Sequence, residues 1–281
     1  MVTQAPPVDR YAVVGDPIGH SRSPAIHTLF ARQTGQRLSY AALRVPAGTL
    51  ATVVAAFRAA GGRGLNVTVP LKEEAFGLAA TRTPRAARAG AVNTLLLDGP
   101  GAPRGDNTDG CGLVRDLGVN LGVELAGRAL LVLGAGGAVR GILEPLLAAR
   151  PARLVIANRT AARAAALAAE FADLGPVTGG GFAALAGARF DLVINATAAS
   201  LQGAGLALPE SLAIADGLAY DLVYAAAPTP FLRWAEGHGA ARVADGLGML
   251  VEQAAESFAL WRGVRPQTAP VIAALRKEIS A

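Results

Sequence analysis

The chain has 281 residues and a formal net charge of +5, a length that holds one large domain or two moderate ones. Its arginines are scattered and aromatics make up only 5% of the residues, a pattern that argues against a nucleic-acid surface and suits small anionic ligands. No apolar run reaches the ~18 residues of a membrane helix, and one cysteine with three histidines predicts neither an internal disulfide nor a structural metal site.

A first strand is predicted over 11–15 and runs into the polar stretch GDPIGHSRSP. Ser23 before Pro24 reads as a helix N-cap with proline at the first helical position, opening a helix over 24–34. Ser21 has no such role and is a candidate ligand contact. His20 and His27 read as packing or hydrogen-bonding residues. A strand over 38–45, a helix over 48–60 and a strand over 64–69 follow. In NVTVP the alternation places Asn66 and Thr68 on one face of the strand end, with Lys72 opening a helix over 72–80. A strand over 91–98 carries Asn93 in GAVNT, and GDNTDG ends in Asp109 and Gly110 at the start of a helix over 109–117. Only two of the 26 basic residues are lysine, Lys72 and Lys277. A composition that favours arginine so strongly makes a retained lysine worth a reason.

The strand over 128–133 then enters the glycine-rich turn Gly134, Ala135, Gly136, Gly137, Ala138 and a helix over 139–150. Such a turn lets backbone N–H groups approach a pyrophosphate at a helix N-terminus. Val139 stands at the third position of the usual glycine spacing, a mild departure. The strand over 153–158 ends in Asn158, Arg159 and Thr160, with Arg163 in the following helix over 160–171. An NAD site normally has an acid there to hold the ribose 2′-hydroxyl. Two guanidiniums and a hydroxyl instead suit a 2′-phosphate, so the cofactor is predicted to be NADP. Strands over 191–195 and 217–222 and helices over 247–261 and 267–279 complete the chain.

Strand and helix alternate throughout, which predicts parallel sheets in an α/β chain. More than a hundred residues precede the nucleotide turn, so two domains are expected. Polar clusters at successive strand ends would converge where open α/β sheets bind ligands.

The motifs GDPIGHSRSPAIH, NVTVPLKEEAF, GAVNTL, GDNTDG, GAGGAVRG, NRT, INAT and ADGLGMLVEQA, in that order, resemble the shikimate dehydrogenase family. The resemblance implies an NADP-linked oxidoreductase that reversibly reduces 3-dehydroshikimate to shikimate on the path to chorismate and the aromatic amino acids. It implies a substrate domain of residues 1–108 and 246–281, a Rossmann-type NADP domain of residues 109–245, and an active site in the cleft between them. By the same resemblance Ser21 and Ser23 bind the substrate carboxylate, and Asn66, Thr68, Asn93, Tyr224 and Gln253 contact substrate. Lys72 is implied as the catalytic lysine with Asp109 as its partner, and Leu222 and Gly246 as neighbours of the nicotinamide. Relatives often carry methionine where Leu222 stands, and some carry an acidic residue where this chain has Pro84-Arg85. Ala198-Ala199-Ser200 also replaces a loop richer in serine and glycine.

Two alternatives stay open. One is a quinate/shikimate dehydrogenase. The other is a non-catalytic NADP-responsive sensor on the same fold. The expected setting is cytoplasmic, since the amino terminus lacks the basic and apolar regions of a signal peptide. The expected partners are a small-molecule substrate, no nucleic acid and no membrane, with the chain a monomer or homodimer and no metal.

Overall fold

The structure, a computed structural model, describes residues 8–99, 101–197, 199 and 204–280. The amino-terminal stretch before Val8, together with Ala198 and Ser200 of the loop singled out above, lies outside them. The chain divides into two compact units, residues 1–108 with 253–271 and residues 109–252 with 272–281.

In chain order the first unit holds β1 (Asp9–Gly15), α1 (Ser23–Thr34), β2 (Leu38–Arg44), α2 (Leu50–Ala59) and β3 (Gly62–Val67). It continues with α3 (Lys72–Leu78), β4 (Thr81–Arg82), α4 (Pro84–Ala89), β5 (Thr94–Leu96) and β6 (Arg104–Asp106). These strands form one sheet in the order β2-β1-β3-β5-β6-β4. Strand β1 pairs in parallel with both β2 and β3, whereas β5 runs antiparallel to β3 and β6. The sheet is therefore mixed rather than all parallel, because a short connection from β5 to β6 can only reverse the chain.

Period-two alternation sends β1 to both faces of this sheet. Ala12 and Val14 join a core with Leu50 and Val54 of α2, Leu65, Val67 and Leu95. On the opposite face Tyr11 stacks on Trp261, whose indole N–H donates to the Leu95 carbonyl.

The second unit follows with α5 (Asp109–Arg115), a π-helical turn (Asp116–Asn120), β7 (Ala129–Leu133), α6 (Gly137–Ala148) and β8 (Arg153–Ala157). Then come α7 (Ala161–Phe171), β9 (Val177–Gly180), β10 (Arg189–Asn195), β11 (Ala213–Asp221), α8 (Pro230–Glu236) and β12 (Arg242–Asp245). Its six strands are parallel throughout, in the order β12-β11-β10-β7-β8-β9. Counted from β7 this is the 3-2-1-4-5-6 order of a doubly wound nucleotide fold, with its switch point between β7 and β10. Alternation again splits each strand. Leu130 and Val132 face α6 and α7, while Leu131 and Leu133 face Phe231 and Leu232 of α8.

The chain closes with α9 (Leu247–Arg262) and α10 (Ala269–Ser280). The division between the two units falls inside α9, between residues 252 and 253. Residues 272–281 group with the second unit, where Arg276 pairs with Asp245 at the end of β12.

Several elements differ from the sequence expectation. The strand over 91–98 shrinks to β5, because Gly90 ends α4 in the left-handed conformation (φ 63°) and residues 91–93 are spent leaving that cap. The helix over 109–117 gives way at Asp116 to the π-helical turn. Helix α1 begins at Ser23 itself, with Arg22 at the N-cap and no side-chain cap, so Ser23 is not a capping residue.

Candidate active site

In the first unit β2 and β3 lie on either side of β1, which makes the carboxyl ends of β1 and β3 a second switch point. The two segments that leave it are held together. The Asp16 N–H donates to the Val69 carbonyl (3.1 Å) and the Thr68 N–H to the Val14 carbonyl (2.9 Å). Gly15 makes this approach possible, since a Cβ there would stand 2.5 Å from the Thr68 methyl and 3.0 Å from the Val69 carbonyl oxygen. The sequence thus brings GDPIGHS and NVTVPLK to one place. Thr68 is half-buried, and its hydroxyl has no partner among the described residues. Ser21 is also half-buried, and its hydroxyl accepts from the Ser23 N–H at 3.3 Å.

Behind these residues lies a buried polar network. The Tyr40 hydroxyl donates to Asn66 Oδ1 (2.7 Å) and also meets Ser23. Desolvation pushes the pKa of Tyr40 well above that of a free phenol, so it remains a donor. That fixes the amide of Asn66, whose Nδ2 donates to the Asn93 carbonyl, to Thr94 Oγ1 and to Ser257 Oγ. Asn93 Oδ1 accepts from the Thr108 N–H at 2.9 Å and from the Thr94 hydroxyl at 2.9 Å, and its Nδ2 donates to Thr108 Oγ1 and Gln253 Oε1. Ser23, Asn66, Asn93 and Gln253 are therefore members of one connected cluster. Sequence reading missed its other members, Tyr40, Thr94, Thr108 and Ser257. Thr94 and Thr108 lay inside quoted motifs, whereas Tyr40 and Ser257 carried no local signal.

His27 sits beside this network, fully buried and stacked on Tyr40 with ring centroids 4.1 Å apart. Neither ring nitrogen has a hydrogen-bond partner of good geometry. Burial lowers its pKa to about 3, opposed only by Asn66, so the ring is neutral. His20 is exposed.

Lys72 is the first residue of α3 and is half-buried. Its carbonyl accepts from the Val92 N–H at 2.9 Å, which places it next to Asn93. Asn93 in turn holds the N–H of Thr108, the residue before Asp109. Asp109 is 8% exposed and opens α5. Arg85, flagged as a departure from the family pattern, spans the carboxylate of Asp106 through Nε and a terminal nitrogen, each at 2.7 Å.

In the second unit the glycine turn leaves β7 at its carboxyl end. Gly134 adopts φ 118°, and its N–H donates to the Ala157 carbonyl, which brings Asn158 alongside. A Cβ at Gly134 would lie 3.2 Å from the Ala196 carbonyl at the end of β10. Ala135 is half-buried, and Gly136, Gly137 and Ala138 are exposed. Helix α6 starts without a side-chain cap and without an acid in its first turn. Its first N–H groups are thus unsatisfied by side chains, as an anion site requires. Val139 is fully buried against the sheet, so its packing replaces the close approach a glycine would give.

At the end of β8, Asn158 folds its amide onto the Thr160 carbonyl (3.2 Å). Arg159, Thr160 and Arg163 are exposed around the start of α7, which again has neither a side-chain cap nor a first-turn acid. Neither arginine has an ion-pair partner among the described residues. The turn and these two guanidiniums fit a dinucleotide with a 2′-phosphate.

Beyond β11, Asp221 is fully buried and accepts from Asn195 Nδ2 (3.2 Å), the Thr229 hydroxyl (2.6 Å) and the Val223 N–H (3.0 Å). This pins the segment that carries Leu222 and the half-buried Tyr224. A Cβ on Gly246 would stand 2.1 Å from the Leu222 carbonyl oxygen, so these two backbones pack directly and only glycine fits.

No helix of the described residues is long and apolar enough to cross a membrane. Three family models match the chain: the shikimate dehydrogenase substrate binding domain over residues 13–95, shikimate / quinate 5-dehydrogenase over 118–202, and the shikimate 5'-dehydrogenase C-terminal domain over 246–276. A shikimate dehydrogenase (NADP(+)) from Methylococcus capsulatus is 64% identical over 96% of this chain and 97% of its own. A crystal structure of an Ael1 enzyme from Pseudomonas putida superposes with a TM-score of 0.89 at 50% identity, covering 95% of this chain and 98% of that one. Shikimate 5-dehydrogenase from Thermus thermophilus, solved with NADP(H) and shikimate, gives 0.85 at 37% identity over 96% of this chain and 99% of that one.

Proposed function

The chain belongs to the shikimate dehydrogenase family, and from that premise we propose that it interconverts 3-dehydroshikimate and shikimate with NADP(H). It is an oxidoreductase of the route to chorismate and the aromatic amino acids. The observation that carries the substrate reading is the network around Asn93. That network joins Ser23, Asn66 and Gln253, and Thr68, whose hydroxyl has no partner among the described residues, follows β3, which carries Asn66. A polyol acid needs many directed hydrogen bonds, and each donor or acceptor here is oriented by a neighbour before any ligand arrives.

In this reading the unit of residues 1–108 and 253–271 binds substrate. Ser21 and Ser23 take the carboxylate, while Asn66, Thr68, Asn93, Tyr224 and Gln253 contact the ring hydroxyls. The unit with the doubly wound sheet binds NADP. Gly134, Ala135, Gly136, Gly137 and Ala138 cradle the pyrophosphate on the start of α6, and Asn158, Arg159, Thr160 and Arg163 hold the ribose phosphate. Leu222 and Gly246 form the wall for the nicotinamide. When bound, NADP supplies the hydride chemistry.

The chain's own task is the proton. An alcohol releases hydride readily only as its hydroxyl gives up a proton, so a general base must take that proton in oxidation and return it in reduction. Lys72 fills that role with Asp109 as its partner. Arginine cannot, because it does not deprotonate at working pH. The enzyme works in the cytoplasm as a monomer or homodimer.

Initial rates with shikimate or quinate, each with NADP or NAD, test the assignment. The expected result is fastest reduction with shikimate and NADP. A preference for quinate with NAD would shift the reading to a quinate/shikimate dehydrogenase, and no turnover in any combination would favour a sensor.

A further inference from the structure

We propose that Arg85 is a positioning residue for Asp109, acting through Asp106 and the turn that follows it. The proposal rests on the reading of Asp109 as the partner of Lys72.

Asp106 ends β6 and is 1% exposed. A carboxylate so deeply buried must be paired or fully hydrogen-bonded. Its Oδ1 accepts from the Thr83 hydroxyl (2.6 Å), from Arg85 Nε (2.7 Å) and from the Asn107 N–H (2.7 Å), and its Oδ2 accepts from an Arg85 terminal nitrogen (2.7 Å). The two arginine bonds form the planar fork that fixes both oxygens at once. Arg85 is itself oriented from a second side, because Glu256 on α9 accepts from it at 3.2 Å. Thr83 caps α4 by accepting from the Ala86 N–H, so the helix that presents Arg85 is anchored at its start.

The consequence runs along the chain. Asp106 holds the Asn107 N–H, the Asn107 amide donates to the Ala91 carbonyl (3.1 Å), and the Thr108 N–H donates to Asn93 Oδ1 (2.9 Å). Three successive residues are thus locked, and the next is Asp109. A group that exchanges or orients a proton is sensitive to sub-ångström placement, and a displacement of about 1 Å costs on the order of 100-fold in rate. Through these bonds Arg85 sets where the chain delivers Asp109. Lysine at position 85 keeps the charge but is a single point donor that cannot span both oxygens. It should loosen the turn without leaving Asp106 unpaired.

A double-mutant cycle of Arg85→Lys with Asp109→Asn on the full chain tests this. Arg85→Lys is expected to lower kcat about tenfold while KM for shikimate and for NADP stays within about twofold. In the Asp109→Asn background the same substitution is expected to change kcat by less than about twofold, since the group it positions is gone. Equal losses in both backgrounds would show a merely structural Arg85 and overturn the proposal, as would wild-type kcat in Arg85→Lys. Should Arg85→Lys fail to fold, Thr83→Val removes one donor to Asp106 and is expected to give a smaller loss with the same non-additivity. Unchanged kcat there would overturn the proposal too. Wild-type turnover in Asp109→Asn alone would instead remove the reading of Asp109, and the proposal with it.

Discussion

Around Asn93 the polar side chains already have protein partners, whereas at the start of α6, beyond Gly134, no side chain among the described residues caps the first N–H groups. Asn93 Oδ1 alone accepts from Thr94 and from the backbone of Thr108. Helix α6, by contrast, begins with exposed Gly136, Gly137 and Ala138 and no capping side chain, and Arg159 and Arg163 stand exposed near the start of α7. In the proposed function the difference follows from what each region recognises. A small polyol is distinguished by the direction of its hydroxyls, so its site must be rigid before it binds. A dinucleotide phosphate is held by charge and backbone N–H groups, which water can satisfy until the ligand replaces it. The first region should therefore couple stability to substrate binding, and the second should couple to neither.

Removing the hub of the first region should break that coupling most severely. Asn93→Ala strips partners from Thr94, Thr108 and Gln253 at once. The Thr108 N–H loses its acceptor outright, at a cost of about 1–3 kcal/mol, while Thr94, the Thr108 hydroxyl and Gln253 each lose one of several partners. Thermal unfolding should show a loss of about 3 kcal/mol, together with a raised KM for shikimate and an unchanged KM for NADP. Equal changes in both KM values would dissolve the distinction between the two regions.

A pH effect of intermediate size comes from His27, which packs on the same network. Its folded pKa of about 3 lies below the ordinary 6.5. The unfolded chain therefore binds the proton first, and the stability contributed by neutral His27 is complete above pH 6.5. That contribution is lost as pH falls from 6.5 toward 3. The loss reaches about 2 kcal/mol by about pH 5. His27→Phe keeps a ring against Tyr40 and should flatten this part of the stability profile in chemical denaturation. A profile as steep as that of the parent chain would assign the acid sensitivity elsewhere.

The smallest expected effect lies in the second region. Arg159→Ala or Arg163→Ala should raise KM for NADP about tenfold each, a loss of about 1.4 kcal/mol, and leave KM for NAD unchanged. Melting temperature should not move, because both side chains are exposed without ion-pair partners among the described residues. A fall in melting temperature would mean that the arginines belong to the fold rather than to a ligand.

The same contrast explains what could be read from the sequence. The glycine-rich turn is local: a strand, Gly134 through Ala138 and a helix fall within a short stretch, so spacing alone showed it. The polar strand ends were visible for the same reason, since GDPIGHS, NVTVP and GDNTDG each interrupt an apolar pattern. The network that joins them is not local. Ser257 reaches Thr94 across 163 residues and Asn66 across 191, and on its own helix it is an ordinary serine. Tyr40 likewise sits on a half-exposed edge strand with nothing to mark it. The short elements β4, α4, α8 and β12 escaped because they are too brief to show a period. Ser23 misled because serine before proline usually caps a helix, whereas here its hydroxyl meets Tyr40.

The central claim is that Lys72 moves the proton. Turnover of Lys72→Arg with shikimate and NADP, measured beside shikimate binding by calorimetry, tests it most directly. The account predicts near-normal binding with turnover reduced at least ~100-fold, the low end of what acid–base catalysis contributes. Turnover close to that of the parent chain would contradict it.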